Sequence, residues 1–221
     1  MDTQHGDKAR LYDLFAEVGK ALGSASRLEL IDLLAQAPHT VEELADKAHL
    51  SVANASQHLQ RLKAVGLVTT AREGTYIRYR LSSPAVARLL RELQAVGLAH
   101  LAATEPALAR YRPQRDAFAT IAPGELAQRL AHGEALLLDV RPREEYAAGH
   151  LPHAISMPLA ELPARLGELS PDRLVVTYCR GPYCVYADQA LALLTAHGRQ
   201  GARLEEGITE WAATGRALAD A

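Results

Sequence analysis

The feature that most constrains this chain is a change of period in its middle. Up to about residue 102 the apolar residues recur at helical spacing, and from about residue 116 short apolar β-runs alternate with helical stretches. Between the two patterns, residues 103–115 hold two prolines and three arginines with no clear period. Such a chain is expected to form two domains, residues 1–102 and 116–221, joined by a linker or by the frayed continuation of a helix over 103–115. A length of 221 residues suffices for two small cores.

Composition narrows the setting. Apolar residues make up 48%, charged residues 23%, and the formal net charge is -2, an ordinary globular profile. No apolar run approaches the ~20 residues that cross a bilayer, and residues 1–7 lack a basic region followed by an apolar stretch. The expectation is a cytoplasmic protein with no membrane partner, whose thiols are kept reduced. Charge is unevenly spread. Residues 1–102 carry 12 Lys/Arg against 11 Asp/Glu, and residues 116–221 carry 9 against 14. Arg61, Lys63, Arg72, Arg78 and Arg80 face only Glu73 over residues 61–80, a local basic edge suited to nucleic acid.

Leu11, Leu14, Phe15, Val18 and Leu22 predict one amphipathic helix, and Leu28, Ile31 and Leu34 a second. Thr40 followed by Glu43 makes a capping box. After a turn at His49 and Leu50, Ser51 is placed to cap a helix over 52–65 that Gly66 stops. Residues 67–81 read as a hairpin turning at Glu73 and Gly74, and Pro84 opens a last helix to about His100. The helix after Ser51 has two faces. Val52, Ala55, Leu59 and Leu62 form an apolar stripe, while Asn54, Gln57, His58 and Arg61 recur at i, i+3, i+4 and i+7. A polar stripe of this kind is either a solvated face or a recognition surface for base edges and phosphate.

The motif S-x-H-L-x-x-L-x-x-x-G-L-V over 56–68 and R-E-G-x-x-x-x-Y-x-L over 72–81 resemble the winged helix-turn-helix of the ArsR family, across about residues 10–102. That resemblance implies double-stranded operator DNA as a partner. Its DNA-contact candidates are Ser51, Asn54, Ser56, Gln57, His58, Arg61, Arg72 and Arg78. It also implies a homodimer paired through the first and last helices, here about 11–23 and 84–100. Family members often sense metals through cysteines at the first helix of the motif. This chain has Thr40-Val-Glu-Glu-Leu there, and His100 with Glu92 is too sparse a set on the last helix, so no metal is expected.

In the second half, residues 135–140 and 174–178 are apolar β-runs, and 124–132, 143–148, 159–166 and 185–197 are helix-like. This alternation predicts an α/β domain with a parallel sheet, whose functional groups gather at the carboxyl ends of strands. Both cysteines of the chain stand at such an end, Cys179 and Cys184 with four residues between them. Two thiols cannot make a cysteine-rich zinc site, and a structural disulfide is disfavoured in a reducing compartment. What stays open is a small buried apolar residue or a reactive thiol. Helix-start amides and the Arg180 cation would favour a thiolate on Cys179, whereas Pro182 has no N–H to add.

Asp139-Val-Arg141, the stretch from Glu145 through His150 to Pro158, Tyr178-Cys-Arg-Gly-Pro-Tyr-Cys184 and Glu206-Gly-Ile-Thr-Glu-Trp211 together resemble a single-domain rhodanese, from about residue 116 onward. The resemblance implies a sulfurtransferase fold in which Cys179 accepts a sulfane sulfur and becomes a persulfide. Arg180, Gly181, Pro182, Tyr183 and Cys184 would form its cradle, and Asp139, Arg141 and His150 would support the loop. The loop departs from the common C-R-x-G-x-R pattern, with glycine third, proline fourth and cysteine sixth. The missing sixth-position arginine disfavours anionic thiosulfate, His153 stands where glycine is common, and Glu206 replaces the first glycine of a frequent pair. The six-residue loop separates the chain from related phosphatases and arsenate reductases, whose loops are a residue longer.

A DNA reader joined to a sulfur-handling domain implies a dimeric transcriptional regulator, a repressor, that responds to reactive sulfur species through persulfidation of Cys179 and a following step at Cys184. Its small-molecule partner would be a sulfane-sulfur donor such as thiosulfate or a persulfide, with no cofactor. Two alternatives stay open. One is a sulfurtransferase enzyme, with Cys179 as nucleophile, that carries a DNA-binding domain. The other is a regulator answering arsenite or another thiophilic ion.

Overall fold

The computed structural model describes residues 2–219; Met1, Asp220 and Ala221, at the outer ends of the two expected domains, lie outside the described residues. The chain divides into two compact units between Ala95 and Val96.

The first unit runs α1 (Asp2–Leu22), α2 (Ala25–Leu34), α3 (Val41–Lys47), α4 (Val52–Ala64), β1 (Val68–Glu73), β2 (Tyr76–Leu81) and most of α5 (Pro84–His100). The Thr40 side chain accepts from the Glu43 amide at 3.3 Å and Glu43 reaches back to the Thr40 amide at 2.9 Å, the reciprocal cap that starts α3. His49, at φ +53°, turns the chain between α3 and α4. The hairpin pairs Val68 with Leu81 through to Glu73 with Tyr76, and turns at Gly74 with φ +62°. His39 pairs antiparallel with Tyr79 and widens that small sheet. The core gathers Leu30, Ile31 and Leu34 of α2, Leu44 of α3, Leu59 and Leu62 of α4, and Val86 and Leu90 of α5.

The second unit continues from the last turn of α5 into α6 (Thr104–Tyr111), β3 (Thr120–Ile121), α7 (Pro123–Ala131), β4 (Ala135–Asp139), α8 (Arg143–Ala147), β5 (Ala154–Ser156), α9 (Leu162–Arg165), β6 (Leu174–Tyr178), α10 (Tyr186–Ala196), β7 (Gly201–Leu204) and α11 (Ile208–Ala213). All five strands are parallel, in the order β3-β7-β6-β4-β5. One core holds Leu162 of α9 with Ala187, Leu191 and Leu194 of α10. A separate core holds Leu126 of α7 with Ile208 of α11, so helices cover both faces of the sheet. The β-runs at 135–140 and 174–178 are β4 and the central β6. The short strands β3, β5 and β7 lack an apolar run long enough to be seen in sequence. Within the stretch 103–115, residues 104–111 are helical, Leu108 is 9% exposed and Arg112 is 6% exposed. Among the described residues no helix is long and apolar enough to cross a membrane, and no group of three or more His, Cys, Asp or Glu is placed to hold a metal ion.

Candidate functional site

In the first unit, the α4 face that packs inward is Ala55, Leu59 and Leu62. Val52, assigned to that stripe by its spacing, stands in the first turn and is exposed. Asn54, Gln57 and Arg61 are exposed together, and Ser56 and His58 are half-buried beside them. Ser51 is exposed and its hydroxyl accepts from the Asn54 amide at 3.2 Å, so it caps the helix. Arg61 approaches Glu17 of α1 at 3.6 Å. On the hairpin the two arginines differ. Arg72 is exposed and donates only to the Gly74 carbonyl at the turn, at 3.2 Å. Arg78 is turned inward, to Glu43 at 3.2 Å, Glu73 at 2.9 Å and the Pro38 carbonyl at 3.4 Å. The spacing that selected Arg78 could not show that α3 supplies it with a carboxylate. Lys63 and Arg80, left out of the sequence candidates, are exposed and hold only the hydroxyls of Thr70 and Thr69.

In the second unit, Cys179 follows the last residue of β6. The strand end is locked from behind. Asp139 and Arg141 are fully buried and pair at 2.6 Å, and Arg141 also donates to the Gly149 carbonyl at 2.8 Å. The Tyr178 hydroxyl donates to Asp139 at 2.5 Å and accepts from the Leu151 amide at 3.1 Å. Burial and Asp139 push that phenol far up, so it stays a hydrogen-bond donor. His150 stacks on Tyr146 with ring centroids 3.7 Å apart and pairs its backbone with Ala219. Asp139 and Arg141 are therefore brought together as a frame for Tyr178, while His150 packs on Tyr146 and Ala219 next to Leu151.

The cysteine loop is held from its far side by α11. The Ile208 amide donates to the Cys179 carbonyl at 3.1 Å, and the Thr209 hydroxyl to the Arg180 carbonyl at 2.9 Å. Gly207 permits this approach, since a Cβ there would lie 2.4 Å from the Gly181 backbone. Inside the loop the Cys184 amide donates to the Gly181 carbonyl at 3.1 Å. Pro182 points its carbonyl, not a missing N–H, into an interaction: it accepts from Arg112. Tyr183 is half-buried.

Cys179 and Cys184 are free thiols, 4% and 8% exposed. Their environments differ from the sequence expectation in one respect. Burial, with Cys184 adding to it, pushes the Cys179 thiol well up against the pull of the Ala187 and Gly181 amides. A hydrogen bond from Cys179, with the Tyr186 and Arg180 amides and the Arg180 charge, holds Cys184 below an ordinary thiol despite its burial. Of the two, Cys184 is thus the thiol that ionises more readily. The reason is geometric: the amides are shared between two sulfurs, and the Arg180 guanidinium lies on buried Glu145 of α8 at 2.5 and 2.9 Å. A small void of about 80 Å³ adjoins Cys179, lined also by Arg112, Arg203, Glu205 and Glu206. Sequence reasoning missed Glu145, Asp188 and Arg112. A carboxylate among the alanines and leucines of α10 was the one available signal.

The rhodanese-like domain family matches residues 122–214, and the bacterial regulatory protein arsR family matches residues 24–70. HTH-type transcriptional regulator Rv0324 of Mycobacterium tuberculosis is 45% identical over 97% of this chain and 94% of its own length. A sulfurtransferase of Allochromatium vinosum is 40% identical over 41% of this chain and 84% of its own. Among solved structures, the homodimeric winged helix-turn-helix DNA-binding domain Mb0332 of Mycobacterium bovis is 46% identical, covering 42% of this chain and 87% of that one, at a TM-score of 0.41.

Proposed function

This chain belongs to the ArsR-family helix-turn-helix transcriptional regulators, with a rhodanese-like domain C-terminal to the DNA-binding unit, and from that premise we propose that it is a sulfur-responsive repressor. One observation carries the reading: both thiols of the chain share one buried loop at the carboxyl end of the central strand, where the Cys179 sulfur donates to the Cys184 main-chain carbonyl. Cys179 attacks the terminal sulfur of a persulfide or polysulfide. The donor S–S bond breaks, a thiolate leaves and Cys179 becomes the persulfide. Cys184, which ionises more readily, takes the Cys179 proton as the donor arrives and passes it to the departing thiolate. As a thiolate it then attacks the Cys179 sulfur and expels hydrosulfide. Two thiols are oxidised to a disulfide and one sulfane sulfur is reduced to sulfide.

The regulator acts as a homodimer. Support comes from the apolar faces left uncovered in the single chain: Leu11, Leu14 and Phe15 on α1, and Leu89 and Leu93 on α5. Asn54, Gln57 and Arg61 meet base edges and phosphate in the major groove.

The test is operator binding at fixed salt, before and after a persulfide donor, for wild type, Cys179→Ser and Cys184→Ser. A donor-dependent change in affinity that Cys179→Ser abolishes is the expected result. Equal affinities throughout would leave a second reading, a DNA-tethered sulfurtransferase. The Allochromatium relative favours that reading, and turnover of a sulfane donor to a thiol acceptor would establish it.

A further inference from the structure

The loop that holds the thiols is gripped by a residue of the segment leading in from α5. Arg112 is buried, and its guanidinium forks onto Asp188 of α10 at 2.8 and 2.9 Å while donating to the Pro182 carbonyl in the middle of the cysteine loop. Asp188 is itself held by Arg203 at 2.6 Å, which also takes the Arg115 carbonyl at 2.9 Å. At the other end of α6, the Thr104 hydroxyl donates to the Gly97 carbonyl in the last turn of α5 at 3.1 Å. A chain of direct contacts therefore runs from the cysteine loop to the end of the helix whose earlier turns sit in the winged core.

Resting on the reading of the two thiols as a sulfur-responsive pair, we propose that Arg112 is the positioning residue that holds the loop in its dithiol form and lets go of it when the two sulfurs bond. The Cys179 end cannot follow such a change. Its carbonyl is fixed by Ile208 and the preceding Tyr178 by Asp139. In the resting loop the Cys179 sulfur donates to the Cys184 main-chain carbonyl, so closing the two sulfurs to about 2.05 Å draws Cys184 inward, and Pro182 lies on the segment between them. That movement draws the Pro182 carbonyl away from a guanidinium anchored on Asp188. Segment 104–115 then loses its tie to the loop while keeping those to Asp188 and Arg203, and its restraint on the end of α5 weakens.

Linkage supplies a reciprocal consequence. If Arg112 favours the dithiol form, its removal favours the disulfide by the same factor. The experiment uses the full-length protein oxidised with diamide, which takes two electrons and two protons from the thiol pair and needs no sulfur donor. Amide hydrogen exchange over 104–115 is read by mass spectrometry in the reduced and oxidised forms. The thiol–disulfide equilibrium is measured in glutathione buffers for wild type, Arg112→Ala and Arg112→Lys. The lysine keeps the charge, lacks the fork, and guards against a variant that does not fold. The expected results are faster exchange on oxidation, absent in Cys184→Ser, and a tenfold or larger shift toward the disulfide in Arg112→Ala, on the order of 30 mV. Arg112→Lys falls between the two.

Equal exchange in both forms, equal equilibria in wild type and Arg112→Ala, or failure of diamide to join the thiols each overturns the proposal. If diamide releases the segment while a persulfide donor leaves operator binding unchanged, the sulfur-sensing reading fails and the Arg112 linkage stands.

Discussion

The Cys179 sulfur donates to the main-chain carbonyl of Cys184 at 3.6 Å, inside a loop that leaves both residues under a tenth exposed. Burial, with Cys184 beside it, holds the Cys179 thiol up, while Cys179 and the Tyr186 and Arg180 amides hold Cys184 down, so Cys184 is the more readily ionised of the two. Cys179→Ala removes the neighbouring thiol that lowers Cys184, so the Cys184 titration moves up toward an ordinary thiol. Cys184→Ala removes a partner that raises Cys179, so the Cys179 titration moves down, with burial still opposing ionisation. Rates of iodoacetamide alkylation against pH, assigned by peptide mass, measure both shifts. Opposite signs would make Cys179 the more readily ionised thiol.

The buried pair behind Tyr178 sets the stability of the second unit. Asp139→Asn leaves Arg141 charged, fully buried and without its carboxylate, and weakens the acceptor of the Tyr178 hydroxyl. The expected loss is about 3–5 kcal/mol, read as a lower denaturant midpoint for the second unit. The winged unit should unfold as before, because its core shares none of these residues. A variant as stable as wild type would show that the frame around Cys179 does not depend on this ion pair.

Much of this architecture was legible in the sequence because it obeys local rules. Thr40 and Glu43, Ser51, Gly66 and Gly74 are caps and turns whose signals lie within a few residues. The runs that became β4 and β6 are apolar enough to stand out. What was not legible is long-range pairing. Arg112 meets Asp188 from 76 residues away, Arg180 meets Glu145 from 35, and Arg78 meets Glu43 from 35. Each pairing assigns a cation to structure that spacing alone offered to a thiolate, a linker or DNA. The short strands β3, β5 and β7 were hidden for a related reason: they draw their stability from neighbours in the sheet.

Gly207 lets α11 meet the cysteine loop, and Gly207→Ala tests how tightly that contact holds the thiols. The added methyl meets the Gly181 backbone rather than a flexible side chain, so the loop itself must move. The expected cost is roughly 1–3 kcal/mol, with faster reaction of Cys179 toward a bulky disulfide reagent. Unchanged thiol reactivity would mean that access to Cys179 is set elsewhere in the loop.

Arg72 and Arg78 lie on opposite strands of one hairpin, and we propose that the first contacts DNA while the second is structural. Arg72 is exposed with only a turn carbonyl for company, whereas Arg78 is shared among Glu43, Glu73 and the Pro38 carbonyl. Arg72→Ala should weaken operator binding evenly across sequences and reduce the slope of log affinity against log salt by about 1. Arg78→Ala should leave that slope unchanged and lower the stability of the winged unit by up to about 1 kcal/mol, the scale of a partly exposed ion pair. Gln57→Ala, on the exposed face of α4, should cost about 1–3 kcal/mol on the operator and far less on unrelated DNA, which is the mark of a base-edge contact. Titrations of the three variants on operator and unrelated DNA at several salt concentrations, paired with denaturant curves, separate these outcomes. A reduced salt slope for Arg78→Ala would mean that its carboxylate partners give it up to phosphate on binding, and would extend the wing's contact surface from its tip along β2.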